Sequence, residues 1–325
     1  MRRIATVLIA LAAVAGIPAW ASAQSLLKMT IATGVDPAFS QFYVAKEAAL
    51  FEKNGLDVTI NTGPSGSAMV PFLINNQIQA AYGSDLAGVI NHNVDNNIVA
   101  VAEGTYLIKW LSVVGRNIAD MAGLKGKKVG VAKGTGGEIF WNRVVDKLKL
   151  NAGDYNIVDI EAPEMVAAIE RGDIDAFATW GPWPTRALMN VKGTKILQDA
   201  EGIYNNINFV YMNRTWIEKN EDTAVRFIRA LIQANDLIGK DREAAAGMVS
   251  QFLKMPIELA RELMPKVEYN MTLTDRGIAT IKISEEQLQR QGKLKAPLDY
   301  SRYVYTDLLN KVRPENVKIT TLPSK

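Results

Sequence analysis

The residues with chemistry to offer are small hydroxyls, glycines and tryptophans, placed where strand-like runs give way to helix-like ones. Lys133-Gly-Thr-Gly-Gly137 stands between an apolar run and a helical pattern that starts near Glu138. Its glycines let the backbone approach an oxygen, so the amides of Gly136 and Gly137 and the Thr135 hydroxyl are candidates to bind one. The same residues also fit a tight strand-to-helix turn with Thr135 as N-cap. Three other stretches follow strand-like runs in the same way: Thr33 to Ser40, which carries Asp36 and Ser40; Ser65-Gly-Ser67; and Gly83-Ser84-Asp85. Each serine also suits a cap or a turn. Trp180 and Trp183 flank Gly181-Pro182, where an indole offers an apolar wall and an N–H. Core packing competes for Trp183. Tyr106 and Lys109 complete the set, Lys109 as a cation for an anionic head group, with plain solvent exposure as its alternative. Such groups suit the binding of an oxygen of a small-molecule ligand. N–H groups at helix N-termini favour anions by about 0.3–1 kcal/mol, and by up to ~2 kcal/mol when partly buried.

The elements that must position these residues occur twice. Ser67 to Ser84 reads like Pro163 to Trp180, with Met69, Val70, Ile78 and Ala80 matching Met165, Val166, Ile174 and Ala176. Upstream of each copy lies a strand-like run ending in glycine, at Gly34 and Gly134. Strand-like and helix-like patterns alternate through both copies, as in parallel α/β sheets. Pro37 to Asn54 reads as one helix interrupted by Lys46, Leu56 to Ile60 as a strand, and Ser67 to Asn75 as a helix whose start Pro71 delays. Glu103 to Lys109 reads as a connection between two apolar runs, and Phe209 to Met212 as a strand returning to the first copy. Glu221 to Ile238 is helical in pattern. Arg242 to Lys311 reads as mostly helical and is expected to pack on the first copy. Two similar halves in tandem imply two lobes with a crevice between them, where ligands bind preferentially.

Arg2 and Arg3, the apolar run Ile4 to Ala15 and Ala21-Ser22-Ala23 describe a secretory signal peptide cleaved before Gln24. There is no cysteine, which removes disulfides and thiolate chemistry. The chain has 37 basic and 34 acidic residues, and without the two leader arginines the excess is +1, so nothing favours nucleic acid. No other segment approaches a membrane span, so stable membrane insertion is not expected. His92, the only histidine, lies in the polar stretch Asn91 to Asn97 and reads as a surface-loop residue without companions for a metal. No G-x-S-x-G elbow is present and no carboxylate pair stands out by spacing. No catalytic residue, metal or cofactor is expected.

Gly34 with its following helix, Gly55-Leu-Asp-Val58, Leu124-Lys-Gly-Lys-Lys-Val129 and Ala167-Ala-Ile-Glu-Arg-Gly-Asp-Ile-Asp-Ala176 followed by Trp180-Gly-Pro182 resemble the substrate-binding proteins of ABC importers. The nearest class binds nitrate, sulfonates and taurine, with relatives that bind thiamine-precursor pyrimidines. The resemblance spans nearly the whole mature chain. It implies a type II periplasmic binding protein: two α/β lobes, joined by a two-segment hinge, that close on a small organic anion and deliver it to an ABC transporter permease. A periplasmic sensor would share that fold and site. The boundaries expected are 1–23 for the signal peptide, 24–115 and 210–325 for lobe one, and 116–209 for lobe two, in a monomer. Where the family commonly carries an acidic residue between the tryptophan and proline, this chain has Gly181, which points toward a ligand lacking an amine. Asn76 and Gln79 also depart from the second copy, which has Gly172 and Asp175; they are expected to affect turn structure rather than the ligand.

Overall fold

The computed structural model describes residues 25–294 and 296–323, so the signal-peptide reading lies outside the described residues. The strands, in chain order, are β1 (Leu27–Thr33), β2 (Leu56–Thr62), β3 (Ala80–Ser84), β4 (Ile98–Leu107), β5 (Leu111–Arg116) and β6 (Lys128–Val131). They continue as β7 (Asn156–Asp159), β8 (Ala176–Trp180), β9 (Thr194–Asp199), β10 (Asn206–Asn213), β11 (Val267–Thr274) and β12 (Val317–Lys318). They form two sheets, one ordered β12-β11-β4-β10-β3-β1-β2 and the other β7-β6-β8-β5-β9.

The internal repeat is visible in the pairing. In the larger sheet β2, β1 and β3 are parallel neighbours, and β10 runs antiparallel beside β3. In the smaller sheet β7, β6 and β8 are parallel neighbours, and β5 runs antiparallel beside β8. The antiparallel member of each sheet is reached directly from the other sheet. β5 follows β4 of the larger sheet, and β10 follows β9 of the smaller one. All of Leu111–Arg116 therefore pairs in the smaller sheet, and the first passage falls at 108–110, ahead of the boundary expected between 115 and 116. The second passage falls at 200–205, because Asn206 already pairs with Leu107.

Several sequence readings change for local reasons. The stretch from Glu103 to Leu107 is strand, not connection: β4 lies between β10 and β11, and its buried polar residues find partners there, Glu103 accepting from the Thr274 amide and hydroxyl and Thr105 from the Asn208 side chain. Val267 to Thr274 is a strand inside the region read as mostly helical. Its alternation, with Val267, Met271 and Leu273 buried and Glu268 exposed, marks a half-covered sheet position. The expected helix from Pro37 to Asn54 is a 3-10 turn Pro37–Phe39 and two helices, Ser40–Glu47 and Leu50–Lys53, broken where Ala49 turns left-handed at φ 53°. Lys46 interrupts the apolar face because its Nζ leaves it for the Val58 carbonyl at 2.9 Å and Glu52 at 3.2 Å. His92 is not in a loop. It belongs to the helix Asp85–Val94, is buried, and bonds the Ile98 carbonyl through Nδ1 at 2.7 Å, with Tyr303 edge-on to its ring.

The larger core sits between the first sheet and the C-terminal helices. Phe42, on the helix Ser40–Glu47, meets Tyr82 of β3 at 5.2 Å and Phe227 at 5.8 Å, the latter on the long helix Glu221–Lys240. Full burial of such a ring stabilises by roughly 1.5–3 kcal/mol. This packing holds β1 and β3 rigid behind the loops at their carboxyl ends.

Candidate ligand-binding cleft

The loops at the carboxyl ends of the repeated strands meet in one cavity of about 290 Å³, counted out to its mouth. Most of that is interstitial space and open mouth; the part that the centres of water-sized molecules can occupy is about 20 Å³, room for one water or two. Four helical N-caps line it. Asp36 caps the turn Pro37–Phe39, Ser65 the short helix Gly66–Met69, Ser84 the helix Asp85–Val94, and Thr135 the helix Gly136–Lys147. The first three come from the larger sheet and the fourth from the smaller one. Each is a cap because its side-chain oxygen accepts from an amide of the first turn: Ala38 N at 3.0 Å, Ala68 N at 3.2 Å, Ala87 N at 3.4 Å and Gly137 N at 3.1 Å. The positive ends of these peptide dipoles therefore surround the cavity.

The hydroxyls are not equivalent donors. Thr135 donates to the Ala132 carbonyl at 2.7 Å, so its proton is committed and the donation to a ligand expected from the sequence is not available. Ser67 and Ser84 share one hydrogen bond at 2.9 Å between their Oγ atoms, which leaves one of the two protons for a ligand. Gly66 is required by close approach, since a Cβ there would stand 2.2 Å from the Tyr82 carbonyl oxygen. At Gly136 a Cβ would stand 3.0 Å from the side-chain amide of Asn206, which also lines the cavity.

Aromatic walls come from Phe39, Trp110 and Trp180. Trp180, at the end of β8, donates through Nε1 to Asp36 Oδ2 at 3.1 Å, a hydrogen bond that spans the two sheets' loops. Trp110 lies in the first passage against Gly181, and its buried Nε1 has no partner. Asp36, 3 % exposed, is the one ionisable residue lining the cavity among the described residues. Burial pushes its carboxyl up to about 7, against the opposing pull of the Ala38 and Trp180 hydrogen bonds.

Seven residues singled out from the sequence thus line one space: Asp36, Ser65, Ser67, Ser84, Thr135, Gly136 and Trp180. Five others do not. Ser40 donates to the Pro37 carbonyl at 2.6 Å behind the turn. The Gly137 amide is taken by the Thr135 cap. Tyr106 is on β4, not in a loop, accepts from Asn205 and lies under the Arg276 guanidinium. Lys109 is exposed and paired with Glu201 at 2.7 Å. Trp183 is buried in the smaller lobe's helix with Arg186 over its ring. Phe39, Gly66, Leu107, Trp110, Asn206 and Asn208 line the cavity without having been singled out. Trp110 belongs to the first passage and the two asparagines to the start of β10, just past the second, and no sequence motif marks them.

Residues 36–245, well over half of the chain, match the model of the family described as NMT1/THI5 like. A Bacillus subtilis chain named as an aliphatic sulfonates-binding protein is 26 % identical over 278 residues, 82 % of each chain. The alkanesulfonate-binding protein from Xanthomonas axonopodis pv. citri, solved bound to MOPS, superposes with a TM-score of 0.75 at 19 % identity, over 86 % of this chain and 98 % of that one. The desulfurization enzyme DszB superposes at 0.68 and 14 % identity, over 89 % and 99 %. One fold thus serves binding and catalysis, and the residues of the site must distinguish them.

Proposed function

We propose, for a chain that belongs to the NMT1/THI5 like family, that it is a periplasmic solute-binding protein which captures a small organic anion, sulfonate-like or carboxylate-like, and hands it to an ABC importer permease. One observation carries this reading: helix N-termini from the loops of both sheets converge on a single small cavity, with Trp180 joined to Asp36 across it. Backbone amides and dipoles so placed favour a negatively charged oxygen without any covalent step. The pairing favours one lobe of residues 25–107 with 206–323 and a second of 111–199, hinged at the two passages. Capture over catalysis is supported by the serines. Ser67 and Ser84 bond each other, and His92 is turned away to the Ile98 carbonyl, so among the described residues neither hydroxyl is hydrogen-bonded to a histidine or carboxylate. The protein is expected to work in the periplasm. Among the described residues no helix is long and apolar enough to cross a membrane.

Thermal unfolding of the mature protein against alkanesulfonates, aromatic carboxylates, nitrate and pyrimidines tests the reading. A solute at 100 times its Kd stabilises by about 2.7 kcal/mol, which shifts the midpoint by several degrees. A sulfonate or carboxylate is expected to give that shift. No shift with any member of the panel, or conversion of a member into product by the purified protein, overturns the reading.

A further inference from the structure

The lobes touch on the flank of the cleft as well as through the cavity. Helix Gly136–Lys147 follows β6 of the smaller sheet, and helix Asp275–Arg290 follows β11 of the larger one. Between them Gln291 Nε2 donates to Glu138 Oε1 at 3.0 Å, and the Arg290 guanidinium stands 3.6 Å from the Asp146 carboxylate. Ile90, on helix Asp85–Val94, meets the same loop of the smaller lobe: its Cδ1 lies 3.8 Å from where a Cβ on Gly134 would stand. None of these residues lines the cavity. Glu138 reaches the site indirectly, because its Oε2 accepts from the Gly134 amide at 2.7 Å and so holds the loop that carries Thr135 and Gly136 to the cavity. One carboxylate thus grips a wall of the site with one oxygen and the opposite lobe with the other. The Arg290 and Asp146 side chains are 58 % and 57 % exposed, so their attraction is weak and screened by salt. Contacts of that strength bias an equilibrium between two forms rather than fix one. The space inside is the second observation. With about 20 Å³ open to the centres of water-sized molecules, the cavity is too small for an organic solute while the lobes stand this close.

We propose that Glu138 with Gln291, and Arg290 with Asp146, form a clasp on the flank of the cleft that holds the lobes in a solute-excluding form, so that capture starts with its release. This rests on the solute-binding reading and adds a gate to it. The four are positioning residues, since none of them lines the cavity. The apparent affinity for a solute is reduced by the fraction of protein able to receive it, so weakening the clasp raises that fraction and tightens binding by the same factor.

The chain has no cysteine, so one nitroxide label can be placed on each lobe through Arg229→Cys and Ala167→Cys, both at exposed positions, and the distance between them read by pulsed electron paramagnetic resonance with no solute present. The labelled protein is expected to show a short-distance population. Arg290→Ala with Gln291→Ala is expected to lower the ratio of short to long distances about threefold or more, as the loss of two exposed contacts allows. Both side chains are exposed at the end of their helix, so neither lobe loses core packing. Arg290→Glu is expected to open the lobes in the same way, and Asp146→Arg added to it to bring the short distances back, which a role confined to one lobe would not do. Raising NaCl from about 0.05 M to about 1 M should shift the unsubstituted clasp toward long distances, because screening shortens the reach of exposed charges. A distribution that the double variant leaves unchanged overturns the proposal, as does one that the reversed pair fails to restore, or one with long distances only before any substitution. No solute enters the measurement, so the clasp stands or falls apart from the solute-binding reading, which the thermal panel decides.

Discussion

At the scale of single residues, Trp110 sets packing against an unmet hydrogen bond. Its indole fills the passage between the sheets, but its N–H is buried without an acceptor. Leaving such a donor unsatisfied costs about 1–3 kcal/mol, whereas replacing it with an apolar group of similar shape relieves that cost. Trp110→Phe keeps most of the ring and removes the N–H. The variant is therefore expected to be as stable as the wild type or more so, offset by some lost packing. Thermal unfolding without ligand measures this. A clear loss of stability would show that packing outweighs the unmet donor. Trp180 differs from Trp110 in that its N–H is already engaged by Asp36. That distinction was not legible in the sequence, where Trp180 stands in a repeated motif and Trp110 stands in none.

At the scale of elements, the site depends on how closely the Ser65-Gly66-Ser67 loop approaches β3. Gly66 starts a helix of four residues, and Pro71 turns the continuation into a 3-10 helix, Val70–Leu73, whereas the second copy runs as one helix, Ala162–Arg171. The repeated sequence made both helices legible. The proline explains why only the copy nearer the cavity is short. Gly66→Ala forces backbone apart at the Tyr82 carbonyl, and overpacking of this kind costs typically about 1–3 kcal/mol. Ser65→Ala removes only a cap, at about 1 kcal/mol. Chemical denaturation is expected to rank Gly66→Ala below Ser65→Ala, and Gly66→Ala to lose affinity because the Ser67–Ser84 pair is displaced. Equal stability of the two variants would contradict the close-approach argument. The alternating parallel units were readable because their periodicity is local. β11 and the inner half of β4 were not, because their strand character comes from neighbours more than a hundred residues away: β4 pairs with β10 and with β11.

At the scale of the whole molecule, the second passage is anchored by another buried carboxylate. Asp85 accepts from Tyr204 Oη at 2.9 Å and Asn206 Nδ2 at 2.9 Å, both at the return from the smaller sheet, and from Ser284 Oγ at 2.9 Å on the helix Asp275–Arg290. Among the described residues the hydrogen bonds to Asp85 come from uncharged donors, and burial pushes its carboxyl up to about 7. Burial also raises Asp36 and Glu103 to about 7. In the unfolded chain such groups titrate near 3.9 to 4.3. Between about pH 4 and pH 7 the folded state therefore holds more protons than the unfolded state. Their contribution to stability is greatest below that window, falls as pH rises through it, and levels off above about 7. Each group contributes on the order of 4 kcal/mol at the limit, from one pKa unit being about 1.4 kcal/mol. Asp85→Asn cannot ionise, but its amide faces the donor of Asn206, so the variant is expected to be less stable than the wild type at pH 5. The deficit should narrow by pH 8, where the wild type bears the buried charge. Unfolding midpoints at both pH values, under equal ionic strength, measure this directly. Curves that stay parallel would mean that Asp85 is ionised throughout and that the anchor of the passage is not sensitive to protons. The same cluster sets how the lobes join, because Tyr204 and Asn206 lie where the chain leaves one sheet for the other. A charge appearing there weakens the hinge rather than the cavity, which Asp85 does not line.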